Sequence, residues 1–340
     1  MRAFLLFVVL LLASLSARAE PVDGTSPESG QYPLELSHFE FTSQGQELQM
    51  AFMDSDPDGQ KDRVVVLLHG KNFCGPYWHQ TIDRLVELEF RVIVPEQVGF
   101  CRSSLPARYQ FTLHQLAHNT RALLDGLGVE SARIMGHSMG GMLAMRYGLM
   151  YPESSAQIIL VNPIGLEDWL GEGVPYIPVD ELYRAEREKD FEGIRAYQKQ
   201  SYYDGQWSED YEHWARMLAA TYTGEHGQRV AWNHALTADM VMTGPVIHEV
   251  DNLDVPVVLL IGDRDRTAIG RDRVDEELAD RLGDYPRLSR ELAARLPEAE
   301  LVLFKGIGHM PHIEDETLYL NAVTRALGAE SENEESGNKE

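Results

Sequence analysis

Cysteine is nearly absent from this 340-residue chain, which holds only Cys74 and Cys101. Two thiols exclude a cysteine-rich zinc site, so no metal is expected, and no motif calls for a cofactor. Basic side chains are also scarce, 30 against 54 acidic ones, for a formal charge of −24. Nucleic acid and anionic membrane surfaces repel such a chain, and neither is expected as a partner. Long apolar runs are missing too, except at the N-terminus. What remains is a chain with 44% hydrophobic residues, long enough for a sizeable core in one large domain or a domain with an insertion. Nothing in it speaks to oligomeric state.

The N-terminal exception has the pattern of a signal peptide over residues 1–19. Arg2 precedes the apolar run Phe4 to Leu12, and Ala17-Arg18-Ala19 sets small residues before a cut at Glu20. The alternative reading is an uncleaved anchor, although the run is short for a membrane span. The expectation is export, to the periplasm or beyond, without stable membrane anchoring. In an oxidising compartment Cys74 and Cys101, each in a loop after a predicted strand, come within disulfide reach if those strands are neighbours. The alternative is two buried thiols. At the other end, residues 328–340 form an acidic tail that is expected to be disordered.

Between these ends, His38–Thr42 and Glu47–Phe52 alternate with period two around Gln44-Gly45, which predicts a hairpin at a sheet edge. Val64–Leu68, Val92–Pro95, Ala132–Met135, Gln157–Val161, Val257–Ile261 and Glu300–Phe304 are short apolar runs. Such runs suit strands buried on both faces. Helical patterns separate them, and one has a capping box at Thr112 and Gln115. Strand and helix in alternation predict an α/β fold with a mostly parallel sheet. From 165 to 245 the rhythm stops and aromatics become frequent, which predicts a helical insertion between core segments 34–164 and 246–327. Its expected place is over the ligand-binding edge of the sheet, as a lid whose rings, among them Trp169, Trp207 and Trp214, line a pocket or form its own small core.

Four of the buried strands end in groups that acyl transfer requires. Gly136-His137-Ser138-Met139-Gly140 reads as a strand, a tight turn and a helix, with Ser138 as nucleophile and the Met139 amide as one oxyanion donor. Gly70-Lys71 supplies a turn with a second free amide, that of Lys71. Asp263 or Asp265 supplies a carboxylate and His309 an imidazole. A serine hydroxyl needs a base, and an imidazole needs a carboxylate to fix its tautomer. His69, His137 and His312 are read as packing or hydrogen-bonding residues.

On His69-Gly70, Gly136-His137-Ser138-Met139-Gly140-Gly141, Gly262-x-x-Asp265-Arg266 and Gly308-His309-Met310-Pro311-His312, the chain resembles lid-bearing α/β-hydrolases, a group of esterases, lipases and carbon-carbon bond hydrolases. The resemblance covers about residues 37–327. It implies an eight-stranded, mostly parallel sheet with helices on both faces, a triad of Ser138, Asp265 and His309, and preference for Asp265 over Asp263. Haloalkane dehalogenases and epoxide hydrolases of this fold use an aspartate where Ser138 stands, which argues against both activities. The expected substrate is a small carboxylic ester with apolar groups. The alternatives are a carbon-carbon bond hydrolase or amidase, and a non-catalytic ligand-binding protein of the same fold.

Overall fold

The computed structural model describes residues 32–328. The signal-peptide pattern over 1–19 and the acidic tail from 329 onward lie outside the described residues. The strands are β1 (Leu36–Ser43), β2 (Gln46–Asp54), β3 (Val64–Leu68), β4 (Arg91–Pro95), β5 (Ala132–His137), β6 (Ser155–Val161), β7 (Val257–Gly262) and β8 (Glu300–Phe304). They form one eight-stranded sheet of order β1-β2-β4-β3-β5-β6-β7-β8.

β1 and β2 pair antiparallel through a two-residue turn at Gln44 and Gly45, whose φ values of 51° and 71° match the twist a tight hairpin needs. β2 also pairs antiparallel with β4, and every later pairing is parallel. The C-terminal ends of β3, β5, β6, β7 and β8 therefore share one edge.

Side chains alternate across a strand, so an unbroken apolar run feeds two cores. Val64, Val66 and Leu68 of β3 join one buried cluster, and Val65 and Leu67 join the other. The first is closed by α2 (Leu113–Gly126), α3 (Met139–Met150) and α9 (Tyr285–Arg295) through Leu116, Leu143 and Leu288. The second is closed by α1 (His79–Glu87) and α10 (Glu316–Ala326) through Leu85 and Val323. At the start of α2, Thr112 Oγ1 accepts from the Gln115 amide at 3.0 Å. The Gln115 side chain turns instead to Asn119, one turn on, so half of the expected capping box forms.

Between β6 and β7 come α4 (Trp169–Glu172), α5 (Val179–Arg187), α6 (Phe191–Ser201), α7 (Glu209–Thr221) and α8 (Gly227–Thr243). Asp168, Asp190 and Ser208 cap three of these helices by accepting amide bonds in the first turn. α5 packs on α8 and α6 on α7. No described helix is long and apolar enough to cross a membrane.

Cys74 and Cys101, in the loops after β3 and β4, form a disulfide with Cα atoms 5.8 Å apart. The bridge closes a 27-residue separation, and constraining a loop of that length in the unfolded chain stabilises by about 3 kcal/mol. The double variant Cys74→Ser/Cys101→Ser is expected to lose about that much in urea unfolding. Equal stability of the variant and the oxidised protein would contradict this.

Candidate active site

The turn between β5 and α3 carries Ser138 at φ 57° and ψ −121°, a strained conformation for a residue with a side chain. Main-chain packing holds it there. A Cβ at Gly136 would lie 2.0 Å from the Gly140 carbonyl oxygen, and one at Gly140 would lie 2.1 Å from that of Leu68. Only glycine fits on either side. The Ser138 amide donates to Val161 O, and its carbonyl accepts from Gly141 and Ile164. Gly70 packs against Ser138, close enough that a Cβ there would approach the serine Cβ to 3.1 Å. Met139 opens α3, where the first amides have no acceptor within the helix. The two amides expected to bind an oxyanion thus belong to turns beside Ser138.

His309, after β8, donates from Nδ1 to Asp265 Oδ2 at 2.6 Å, and both side chains are 0% exposed. Asp265 is the carboxylate that reaches the imidazole. Asp263 instead accepts from the Gly306 amide. Asp265 also accepts from Asn162 Nδ2 and the Thr267 amide, each at 2.9 Å. With Nδ1 committed as donor, His309 Nε2 carries the lone pair, and it is buried without a hydrogen-bond partner among the described residues. The Ser138 hydroxyl and His309 Nε2 are not hydrogen-bonded to each other. Such bonds are often long in unliganded hydrolases and tighten when substrate arrives.

A chain of hydrogen bonds joins the turns around the site. The Gly70 amide donates to the Tyr77 phenol oxygen at 3.0 Å, and that phenol faces His137 Nδ1 at 3.3 Å. His137 Nε2 lies 2.9 Å from the His309 carbonyl oxygen, which can only accept. His137 therefore donates from Nε2 and receives the phenol proton on Nδ1. Burial, reinforced by His309 and His312, holds His137 well below its ordinary pKa. Burial likewise lowers His69 to about 4 and His312 to about 3. All three are neutral structural rings at physiological pH. Among the described residues the one grouping of three metal-ligand side chains is Cys74, Glu96 and Cys101, whose two sulfurs are bonded to each other.

Three residues that the sequence did not single out support this arrangement. Asn162, just after β6, donates to Asp265 and accepts from the Gly262 amide at 3.1 Å. Tyr202, just after α6, accepts the His309 amide on its carbonyl at 2.8 Å. Its ring lies 4.5 Å from the imidazole, and its hydroxyl accepts from Asn72. Glu314 accepts the amides of Gly308 and Met310, on either side of His309. An asparagine directly after a buried strand at the functional edge was the available signal for Asn162; Tyr202 and Glu314 offered none.

A narrow cavity with room for about one water-sized group lies between the insertion and the core, beside the Lys71 turn and not lined by Ser138 or His309. Lys71, Phe73, Phe100 and the disulfide form its core wall, and Met217, Leu218, Thr221, Val230 and His234 form the wall from α7 and α8. Trp169, Trp207 and Trp214 do not line it. Trp169 is buried in the main core and donates to Glu167, Trp207 packs edge-on against Tyr203, and Trp214 joins the core beside His79. Of the large rings on α7, Tyr211 stacks on Tyr203 and Trp214 enters the core, which leaves mid-sized side chains at the cavity.

A parallel sheet that brings a strained serine, a buried histidine–carboxylate pair and two free amides to one edge defines a class, and the chain belongs to the α/β hydrolase fold family, which it matches over residues 63–316. It is a hydrolase. It is 48% identical to a solved probable hydrolytic enzyme from Pseudomonas aeruginosa PAO1, over 90% of this chain and 98% of that one, with a TM-score of 0.86. A 2-hydroxy-6-oxo-6-phenylhexa-2,4-dienoate hydrolase from Burkholderia cepacia is 28% identical over 141 residues, 41% of this chain and 49% of the relative. The chain thus spans about half the length of the curated relatives first matched. An esterase from Thermogutta terrifontis, 20% identical over 86% of this chain and 98% of its own with a TM-score of 0.67, shares the fold.

Burial raises Glu314 from 4.5 to about 7, although the amides of Gly308 and Met310 and the nearby Arg264 favour its carboxylate. An acid whose folded pKa is raised stabilises the fold fully below its unfolded value, and the contribution is lost as pH climbs through the folded one. Urea unfolding is therefore expected to show stability falling between about pH 4.5 and 7 more steeply for the wild type than for Glu314→Gln. Parallel profiles would contradict this.

Proposed function

We propose that this hydrolase cleaves carboxylic esters with an apolar acyl or alcohol part through an acyl-enzyme on Ser138. The observation that carries the reading is the buried His309–Asp265 pair with an unengaged Nε2, on the same sheet edge as the strained serine. In the reaction His309 Nε2 takes the Ser138 proton as Oγ attacks the ester carbonyl. Asp265 holds Nδ1–H and stabilises the imidazolium. The amides of Lys71 and Met139 receive the developing oxyanion, each contributing on the order of 3 kcal/mol. The proton then passes to the leaving alcohol oxygen as the carbonyl–oxygen bond breaks. Water, deprotonated by His309, attacks the acyl-enzyme, and the proton returns to Ser138 as the acid departs.

The helices α4–α8 act as a lid in this reading. Support comes from the cavity they share with the Lys71 turn, whose walls are largely apolar. Export to an oxidising compartment belongs to the same proposal, supported by the pattern over residues 1–19 and by the disulfide. The second reading is a carbon-carbon bond hydrolase, favoured by the activity of dienoate hydrolases among the curated relatives.

Incubation with a fluorophosphonate is expected to add mass on Ser138, and Ser138→Ala to lose roughly 10⁴-fold or more in turnover of p-nitrophenyl esters. Turnover of vinylogous diketones in preference to every ester would move the assignment to the second reading. An unlabelled Ser138 would overturn both.

A further inference from the structure

The cavity has a polar end that the ester reaction leaves unused. Glu186, on α5, is buried and accepts from three groups: Lys71 Nζ at 2.7 Å, Lys189 Nζ at 2.7 Å and the Tyr222 hydroxyl. Tyr222 also lies 2.8 Å from His234 Nδ1, across α7 and α8. A phenol has one proton, and here it is given to Glu186. The bond to His234 must therefore run from the ring, with Nδ1–H donating to the phenol oxygen. Burial, with the charge of Lys71 next in size, holds His234 well below its ordinary pKa, so the ring is neutral and has a single N–H. Its Nε2 is then a lone-pair acceptor with no protein partner among the described residues. Carboxylate, phenol and imidazole form an ordered relay that fixes one tautomer in a ring lining the cavity.

Lys71 lines the same cavity. Its ammonium has three N–H donors, and one is given to Glu186. The polar end of the cavity therefore offers both a donor, from Lys71, and an acceptor, from His234. An apolar group placed there would leave both unpaired, which is costly in a buried site. A carboxylate would satisfy Lys71 but turn its negative oxygens toward the lone pair of Nε2. A hydroxyl accepts one bond and donates one, and it completes both.

We propose that Lys71 and His234, the latter oriented by Tyr222 and Glu186, form a hydroxyl-binding subsite. The physiological substrate accordingly carries a hydroxyl on the part lodged against α7 and α8. The proposal rests on the Ser138 reading for taking this cavity as the substrate's.

The test compares kcat/KM for p-nitrophenyl butyrate, 2-hydroxybutyrate and 3-hydroxybutyrate and for mono-p-nitrophenyl succinate. At least one hydroxy ester is expected to be favoured over butyrate by about ten-fold or more. The ratio should fall to about one in His234→Phe, fall partly in Tyr222→Phe, and recover in part in His234→Gln, whose Oε1 supplies an acceptor. No hydroxyl preference in the wild type, a preference for the succinate ester, or a hydroxyl preference unchanged in both His234→Phe and Tyr222→Phe would overturn the subsite. Failure of the ester reading shows separately, as no turnover of any ester. In that case calorimetric titration of Ser138→Ala with 5-hydroxy-2-hexanone and 2-hexanone decides. Tighter binding of the hydroxy ketone that His234→Phe abolishes supports the subsite, and equal binding overturns it.

Discussion

Asp265 places an ionisable side chain where solvent does not reach, and the site is built around satisfying it. A buried carboxylate without partners is prohibitively costly. Here its oxygens take bonds from His309, Asn162 and the Thr267 amide. Those donors come from the ends of β6, β7 and β8, so meeting the needs of one carboxylate draws three strand ends together. The same bonds fix the tautomer of His309 and leave its other nitrogen able to accept a proton. In the proposed reaction, stability and chemistry thus rest on one set of contacts.

The insertion is bound into this arrangement. The Tyr202 carbonyl takes the His309 amide, and a Cβ at Gly308 would stand 1.9 Å from that oxygen. The His309 turn therefore packs on the insertion's main chain, with no side chain between them. Lys71 reaches from the turn after β3 to Glu186 on α5. Displacement of these helices would disturb the His309 and Lys71 turns together, so in the proposed reaction access to the site and its assembly are coupled.

Much of the architecture could be read from local pattern, for physical reasons. Runs such as Val64–Leu68 have no alternation because the strand feeds two cores, and Gly-x-Ser-x-Gly is demanded by main-chain contact on both sides of Ser138. The carboxylate was less legible. Asp263 and Asp265 are chemically equal in the chain, and only the path of the loop sends one to His309 and the other to the Gly306 amide. Asn162, Tyr202 and Glu314 act through single polar contacts set by tertiary packing, and no spacing announces them. Aromatic residues in a helical pattern do not reveal which way they face, so Trp169 and Trp214 proved to pack into the core while Met217, Leu218 and His234 meet the cavity.

The central claim is that Ser138 and His309 act as one unit, and a double-mutant cycle on ester turnover tests it most directly. If they do, Ser138→Ala, His309→Ala and the double variant lose nearly the same factor in kcat, because removing either group disables the other. Losses that multiply in the double variant would mean that the two side chains contribute independently, and would contradict the account.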